Sequence, residues 1–259
     1  VNAISTLMCF DKKFLIRNLV ARNLKIKYRE SVLGYLWTMA IPACQIAIFY
    51  VLYMVIFKVT VPHYLLFLIS GLLPWLFFST TLSESMESIS GNSALLNQMP
   101  IPIQAFPNTS AITNMTNLLA SLPIAAIVFA ASGIAVHSQL LLIIPLVAIF
   151  YFQALALGVI FSILYVYFRD LRHVTGLILQ IWMYATPIVY APSMVPERAA
   201  KYLFYGNPVA GFFIAFRQTI FNETLDLNYL AAFCGWTLFL MAAALLILHK
   251  MGSGVVERL

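Results

Sequence analysis

The sequence predicts an all-α integral membrane protein: six transmembrane helices, an N-terminal amphipathic interface helix, and short external re-entrant helices between spans five and six. Three observations carry this. Only 9% of the 259 residues are charged and 62% are apolar, against about 25% charged residues in an average soluble domain. From Ser88 to Phe168 there is no Asp, Glu, Lys or Arg, so no solvated face can be built there. Charges and helix breakers cut the chain into pieces that suit a bilayer core about 30 Å thick, which takes about 20 apolar residues per helix. No room is left for a soluble catalytic domain.

Residues 1–32 read as a cytoplasmic segment. Within it Leu15, Ile16, Leu19, Val20 and Leu24 recur at helical spacing, with Asn18, Arg22 and Lys25 on the other side. That pattern describes a helix lying in the interface; a solvated basic arm is the plainer alternative. A six-span domain follows over 33–250. The first span runs from about Leu33 to Phe57 with Pro42 in its first turns, and the second from Tyr64 to Ser83, ending at Glu84 and Glu87. The Ser/Asn/Pro-rich stretch 88–107 belongs outside the lipid. The third span covers Ala111 to Ala131, and the fourth Leu140 to Phe168, stopped by Arg169, Asp170 and Arg172. A fifth runs from Val174 to Tyr190, meeting Pro187 and Pro192. In the external stretch 191–228, Leu203 to Phe216 is apolar but broken by Gly206, Pro208 and Gly211, so it is expected to dip into the membrane and return. The sixth span covers Tyr229 to Leu248, and 251–259 forms a cytoplasmic tail.

Six spans would put both termini on one side. The N-terminal segment, the Arg169–Arg172 loop and the tail hold eleven of the fifteen Lys/Arg, against Lys58, Arg198, Lys201 and Arg217 opposite. The positive-inside rule then makes both termini cytoplasmic.

The net charge of +6 does not point to nucleic acid, because Lys12, Lys13, Arg17, Arg22, Lys25, Lys27 and Arg29 precede the first span and suit a membrane surface. Cys9, Cys44 and Cys234 are too scattered for a disulfide framework or zinc site. The charged N-terminus does not read as a cleaved signal peptide. No glycine begins G-x-x-x-x-G-K-[ST], so no phosphate-cradling loop of that kind is present. Ion-driven carriers place ionisable groups at mid-membrane, whereas these spans hold Gln45, Gln153 and Gln180 with scattered Ser, Thr and Asn. A membrane transferase would have Glu84, Glu87, Asp170 and His173 as its cytoplasmic acids and bases; an interfacial charge cluster is their simpler role.

The 20 Phe, 13 Tyr and 4 Trp are more informative. Tyr35 and Trp37 suit interface anchors. Tyr50, Tyr53 and Phe57 fall at i, i+3 and i+7 on the first span, and Trp182 and Tyr184 lie on the fifth. Buried tyrosine hydroxyls need partners; a wet conduit would supply them and let the rings stack on sugars. Ordinary helix packing is the alternative for each ring.

Several runs resemble the permease subunits of type-2 ABC exporters for polysaccharides and teichoic acids. They are Lys27-Tyr28-Arg29-Glu30-Ser31-Val32-Leu33-Gly34-Tyr35-Leu36-Trp37, then Ser70-Gly71-Leu72-Leu73-Pro74-Trp75-Leu76-Phe77-Phe78, then Tyr167-Phe168-Arg169-Asp170-Leu171. Ala185-Thr186-Pro187-Ile188-Val189-Tyr190 and Asn207-Pro208 with Arg217 complete the set, in the family's order along nearly the whole chain. The resemblance implies a homodimer in the bacterial cytoplasmic membrane, seated on two copies of a separate ATPase subunit that binds ATP and Mg. This chain itself would carry no cofactor and no catalytic residue. The cargo implied is a polyprenyl-linked polysaccharide, O-antigen first, with teichoic acid or another glycan, a lipid or a drug as alternatives; a membrane-embedded glycosyl- or acyltransferase is the rival from another class. It further implies a coupling helix at Ser90 to Gln98, with Ser90, Asn92, Leu95, Leu96 and Gln98 facing the ATPase. The interface helix, with Arg22, Lys25, Lys27 and Arg29, would border a gate for lipid together with Arg169 and Asp170. One departure concerns the coupling loop: family members commonly carry a basic, Phe-Pro-Arg-like run there, and this chain keeps Phe106 and Pro107 without the charges.

Overall fold

The computed structural model describes residues 7–8, 12–28, 37–58 and 61–258, and these fold into helices and the turns that join them. Helix α1 (Lys13–Tyr28) lies against the rest by the stripe its periodicity marks. Ile16 is buried with Ala105, and Val20, Ile101 and Ile112 pack around them. Arg17, Asn18 and Lys25 face outward.

Helix α2 (Trp37–Tyr50) carries Pro42 in its second turn and runs on as a π-helical segment, Val51–Ile56. Helix α3 (Tyr64–Ser88) is the hub of the bundle. Its most apolar window is 78% buried, against 11% for that of α2, so α3 is packed on all sides while α2 is held along one edge. A 3-10 turn at Ser90–Asn92 and the short helix α4 (Ser93–Gln98) turn the chain into α5 (Ala105–Ala131). After a 3-10 turn at Ser138–Leu142 comes α6 (Ile143–Tyr167), close beside α3. Gly158 permits that approach, since a Cβ there would sit 2.9 Å from the Ser85 Cβ. The core is strongly aromatic: Phe150 of α6 stacks on Phe78 of α3 at 5.5 Å and on Phe212 at 3.9 Å.

Helices α7 (Leu171–Ala185), α8 (Glu197–Tyr205), α9 (Ala210–Ile220), α10 (Leu227–Met251) and α11 (Ser253–Val256) complete the chain. Among the described residues, five helices and not six are long and apolar enough to cross a membrane: Met39–Ile56, Tyr64–Ser88, Ala105–Ala131, Ser138–Tyr167 and Leu227–Met251. The expected fifth span, Val174–Tyr190, is corrected. Helix α7 has 15 residues, about 22 Å at 1.5 Å per residue, and it stops where Thr186 turns extended ahead of Pro187. The re-entrant helices are corrected as well. Leu203 to Phe216 contributes the end of α8 and most of α9, and nothing marks either helix as re-entrant. Phe212 and Phe213 of α9 are fully buried in the core shared with α3, α6 and α10.

Five crossings alone would separate the two ends of the chain. Here they meet at one end, which we term proximal: Arg22 of α1 donates to Asn92 at 2.7 Å, and Tyr167 donates to the Met251 carbonyl at 3.0 Å. The return is made by α7 and the non-helical stretch after it, where the Val189 carbonyl accepts from Tyr64 at the distal end.

Candidate functional site

At the distal end, the break after α7 is tied by residues of α3, of α9 and of the turn between α8 and α9. Ending α7 at Thr186 frees carbonyls that need donors. Arg217 of α9, buried, donates to the Pro187, Ile188 and Phe67 carbonyls and to the Ser70 hydroxyl. Its guanidinium lies 3.5 Å from the centre of the Phe67 ring. Burial pulls its proton affinity below the usual arginine range, while the Tyr64 and Tyr190 hydroxyls oppose that shift. Gly71 makes room, because a Cβ there would stand 2.6 Å from the Ile188 carbonyl. From the other side, Asn207 donates to the Thr186 hydroxyl at 2.8 Å and accepts from Trp182 Nε1 at 2.8 Å and from the Val209 amide at 3.1 Å.

The aromatic candidates lie beside this knot and divide into groups. Tyr53 and Phe57 meet edge-on at 5.6 Å, and Tyr53 packs against Tyr64 at 5.8 Å. Tyr184 is exposed. Tyr190 donates to the Tyr184 carbonyl at 3.1 Å. Tyr50 instead lines a separate cavity of about 310 Å³ with Val128 and Ala131 of α5. Part of the reason is the π-helical segment, whose wider turn rotates residues after position 50 off the α-helical register. Trp182 is committed inward, on Asn207 and edge-on to Phe78 at 5.3 Å.

The profile of the ABC-2 type transporter family matches residues 15–221, most of the chain and all of this constellation. The chain belongs to the ABC-2 type transporter family.

Among proteins similar to this ABC-2 chain is an O-antigen export system permease protein, RfbA, of Klebsiella pneumoniae, 30% identical over 93% of this chain and 92% of its own length. The RfbA permease of Myxococcus xanthus is 32% identical over 91% of each chain. A polysialic acid transport protein of Escherichia coli, KpsM, is 23% identical over 88% of this chain and 91% of its own.

In this ABC-2 permease the proximal end holds the remaining candidates. Asn92 accepts from Arg22 and donates to the Ser88 carbonyl at 2.7 Å, so α1 grips the start of the 90–98 segment. Leu96 is buried in the bundle and Leu95 packs beside it, while Ser90 is half-buried and Gln98 exposed. Lys27 bridges to Glu84 at 2.8 Å, and Asn114 donates to the other Glu84 oxygen at 2.7 Å. Lys25 is exposed on α1. Arg169 and Asp170 are exposed in the turn before α7, and the ion pair there joins Arg172 to Glu87 at 3.1 Å. Arg29 lies outside the described residues. Sequence reasoning missed the Glu84–Asn114 bond and the buried Asn108, which donates to the Met8 carbonyl and accepts from Tyr151. It placed Arg217 among external loop charges; its position in the motif set was the available signal.

Proposed function

We propose that this chain is the membrane-spanning subunit of an ATP-driven exporter that carries lipid-linked polysaccharide, of the O-antigen kind, across the bacterial inner membrane. The observation that supports this is correspondence with O-antigen export permeases along more than nine-tenths of the chain, 93% and 91% in two of them. Two copies form the conduit, each on an ABC-type ATPase subunit where ATP and Mg bind. The proximal end faces the cytoplasm, where the basic α1 sits against an anionic membrane surface. Residues 1–32 and 251–259 are its cytoplasmic flanks.

Nucleotide-driven closure of the ATPases is felt at 90–98, through outward-facing Gln98 and its neighbours. Arg22 passes that motion to α1, whose basic residues Lys25 and Lys27, with Arg169 and Asp170 opposite, border the gate for the lipid. The glycan then moves past Tyr50, Tyr53, Phe57 and Tyr184, with Trp182 holding the wall behind them. The rings offer faces on which sugars can slide without a single tight pocket.

The test is co-expression with the ATPase subunit in cells that make the glycan. A cysteine at Gln98 should crosslink to the ATPase, and export should stop when the ATPase is catalytically dead. Crosslinking from α1 or the tail alone, or export without the ATPase, would overturn the reading.

A further inference from the structure

A cleft of about 400 Å³ opens beneath the end of α1, between the weakly held α2 and the α3/α5 pair. Its deeper wall is apolar, with Ile41 and Pro42 on one side and Leu73, Leu76 and Leu118 on the other. Along α5, however, Asn114, Asn117 and Ser121 follow at i, i+3 and i+7 and face this space, and Thr80 of α3 joins them. Polar side chains along a membrane helix are costly unless something polar meets them, and these are met within the protein. Asn114 donates to Glu84, Asn117 to Asn114, Ser121 to the Leu118 carbonyl and Thr80 to the Leu76 carbonyl, which leaves the space beside them open to an apolar chain. Here they thin out with depth, from Asn114 at the mouth to Ser121 innermost. Lys27 stands at the mouth, and Trp37, the residue type that settles at headgroup level, lies at its edge.

We infer that this cleft is a binding site for one anionic glycerophospholipid of the surrounding bilayer, its phosphate held by Lys27 and one acyl chain laid between α2 and α5. Lys27 has three donors and spends one on Glu84; Glu84 is also held by Asn114, so it keeps its place when the lysine turns to a phosphate. Charge favours an anionic head, since α1 presents Lys13, Arg17, Arg22, Lys25 and Lys27 and no acid. The depth favours a resident lipid over travelling cargo. The cleft ends at Leu73 and Ser121, in the middle of their helices, and reaches neither α7 nor the aromatic rings of the distal end. Such a lipid supplies the packing that α2 lacks. The inference does not depend on the identity of the exported glycan.

The test uses the full chain, purified with its ATPase subunit and returned to nanodiscs of phosphatidylcholine with or without phosphatidylglycerol. Phosphatidylglycerol should raise the melting midpoint by several degrees and remain bound in native mass spectra. Lys27→Gln should lose most of that increment, whereas Lys13→Gln, an exposed basic residue on the same helix, should keep it. Leu118→Trp, which fills the cleft, should lose the bound lipid. The inference fails if Lys27→Gln responds like the parent, if Lys13→Gln loses as much, or if polyprenyl phosphate and not phosphatidylglycerol is the lipid retained.

Discussion

Arg217 carries a charge that no carboxylate among the described residues meets, and it is held by carbonyl dipoles, one hydroxyl and the face of the Phe67 ring. A buried ion without a counterion is tolerated only where oxygen acceptors replace water, and the break after α7 supplies them. The dependence is mutual: the break leaves carbonyls bare, and the guanidinium fork reaches several at once. Arg217→Met should strand the Pro187 and Ile188 carbonyls, each at about 1–3 kcal/mol, and lower the melting midpoint of the purified complex sharply; the Phe67 carbonyl keeps its bond from Ser70. Arg217→Lys should recover part of the loss, because an ammonium reaches fewer of the same acceptors. A methionine variant that melts like the parent would show that the carbonyls find other donors. Gly71→Ala should act in the same direction, since its new methyl would meet the Ile188 carbonyl.

Helix α2 is held along one edge, which leaves its distal rings exposed: Tyr50 is 37% and Phe57 61% exposed. If those rings carry glycan, Tyr50→Leu or Tyr53→Leu should each lower export modestly, on the scale of about 1 kcal/mol per stacked ring. The double variant should lower it strongly while the complex melts normally. Loss of assembly in step with export would assign the rings to packing instead. This helix also shows how far the sequence could be read. Its apolar length and its charged flanks are local properties, as is the stripe of α1, and each predicted its element. The π-helical segment has no such local signature, and its wider turn changes the spacing of Tyr50, Tyr53 and Phe57 along the helix. Hydropathy likewise counted Thr186 to Tyr190 as span, because apolar letters do not disclose that Asn207 and Arg217 hold that stretch out of helix. The motif residues Ser70, Gly71, Thr186, Pro187, Asn207 and Arg217 were visible one by one; that they form one knot is a tertiary fact. Glu84 read as a solvated helix end since its partner Asn114 lies 30 positions away.

At the scale of the molecule, the two ends of the described chain share the proximal end although five long helices alone would part them. Cysteine labelling in intact cells should therefore find positions 12 and 258 shielded together and position 201 reactive from outside. Labelling of 201 only from the cytoplasm would overturn the orientation. The short α7 carries a further consequence for biogenesis. An insertion channel releases a segment into lipid when the segment alone is apolar and long enough, and the helix 171–185 fails on length, with a break in place of further turns after it. Arg217 fails more severely, because it can be accommodated only once the broken strand is in place. The late stretch 171–226 must therefore fold against α3 and α6 already in the bilayer, with α10 closing behind it, so ribosomes halted before Leu227 leave a nascent chain whose last quarter has no settled address.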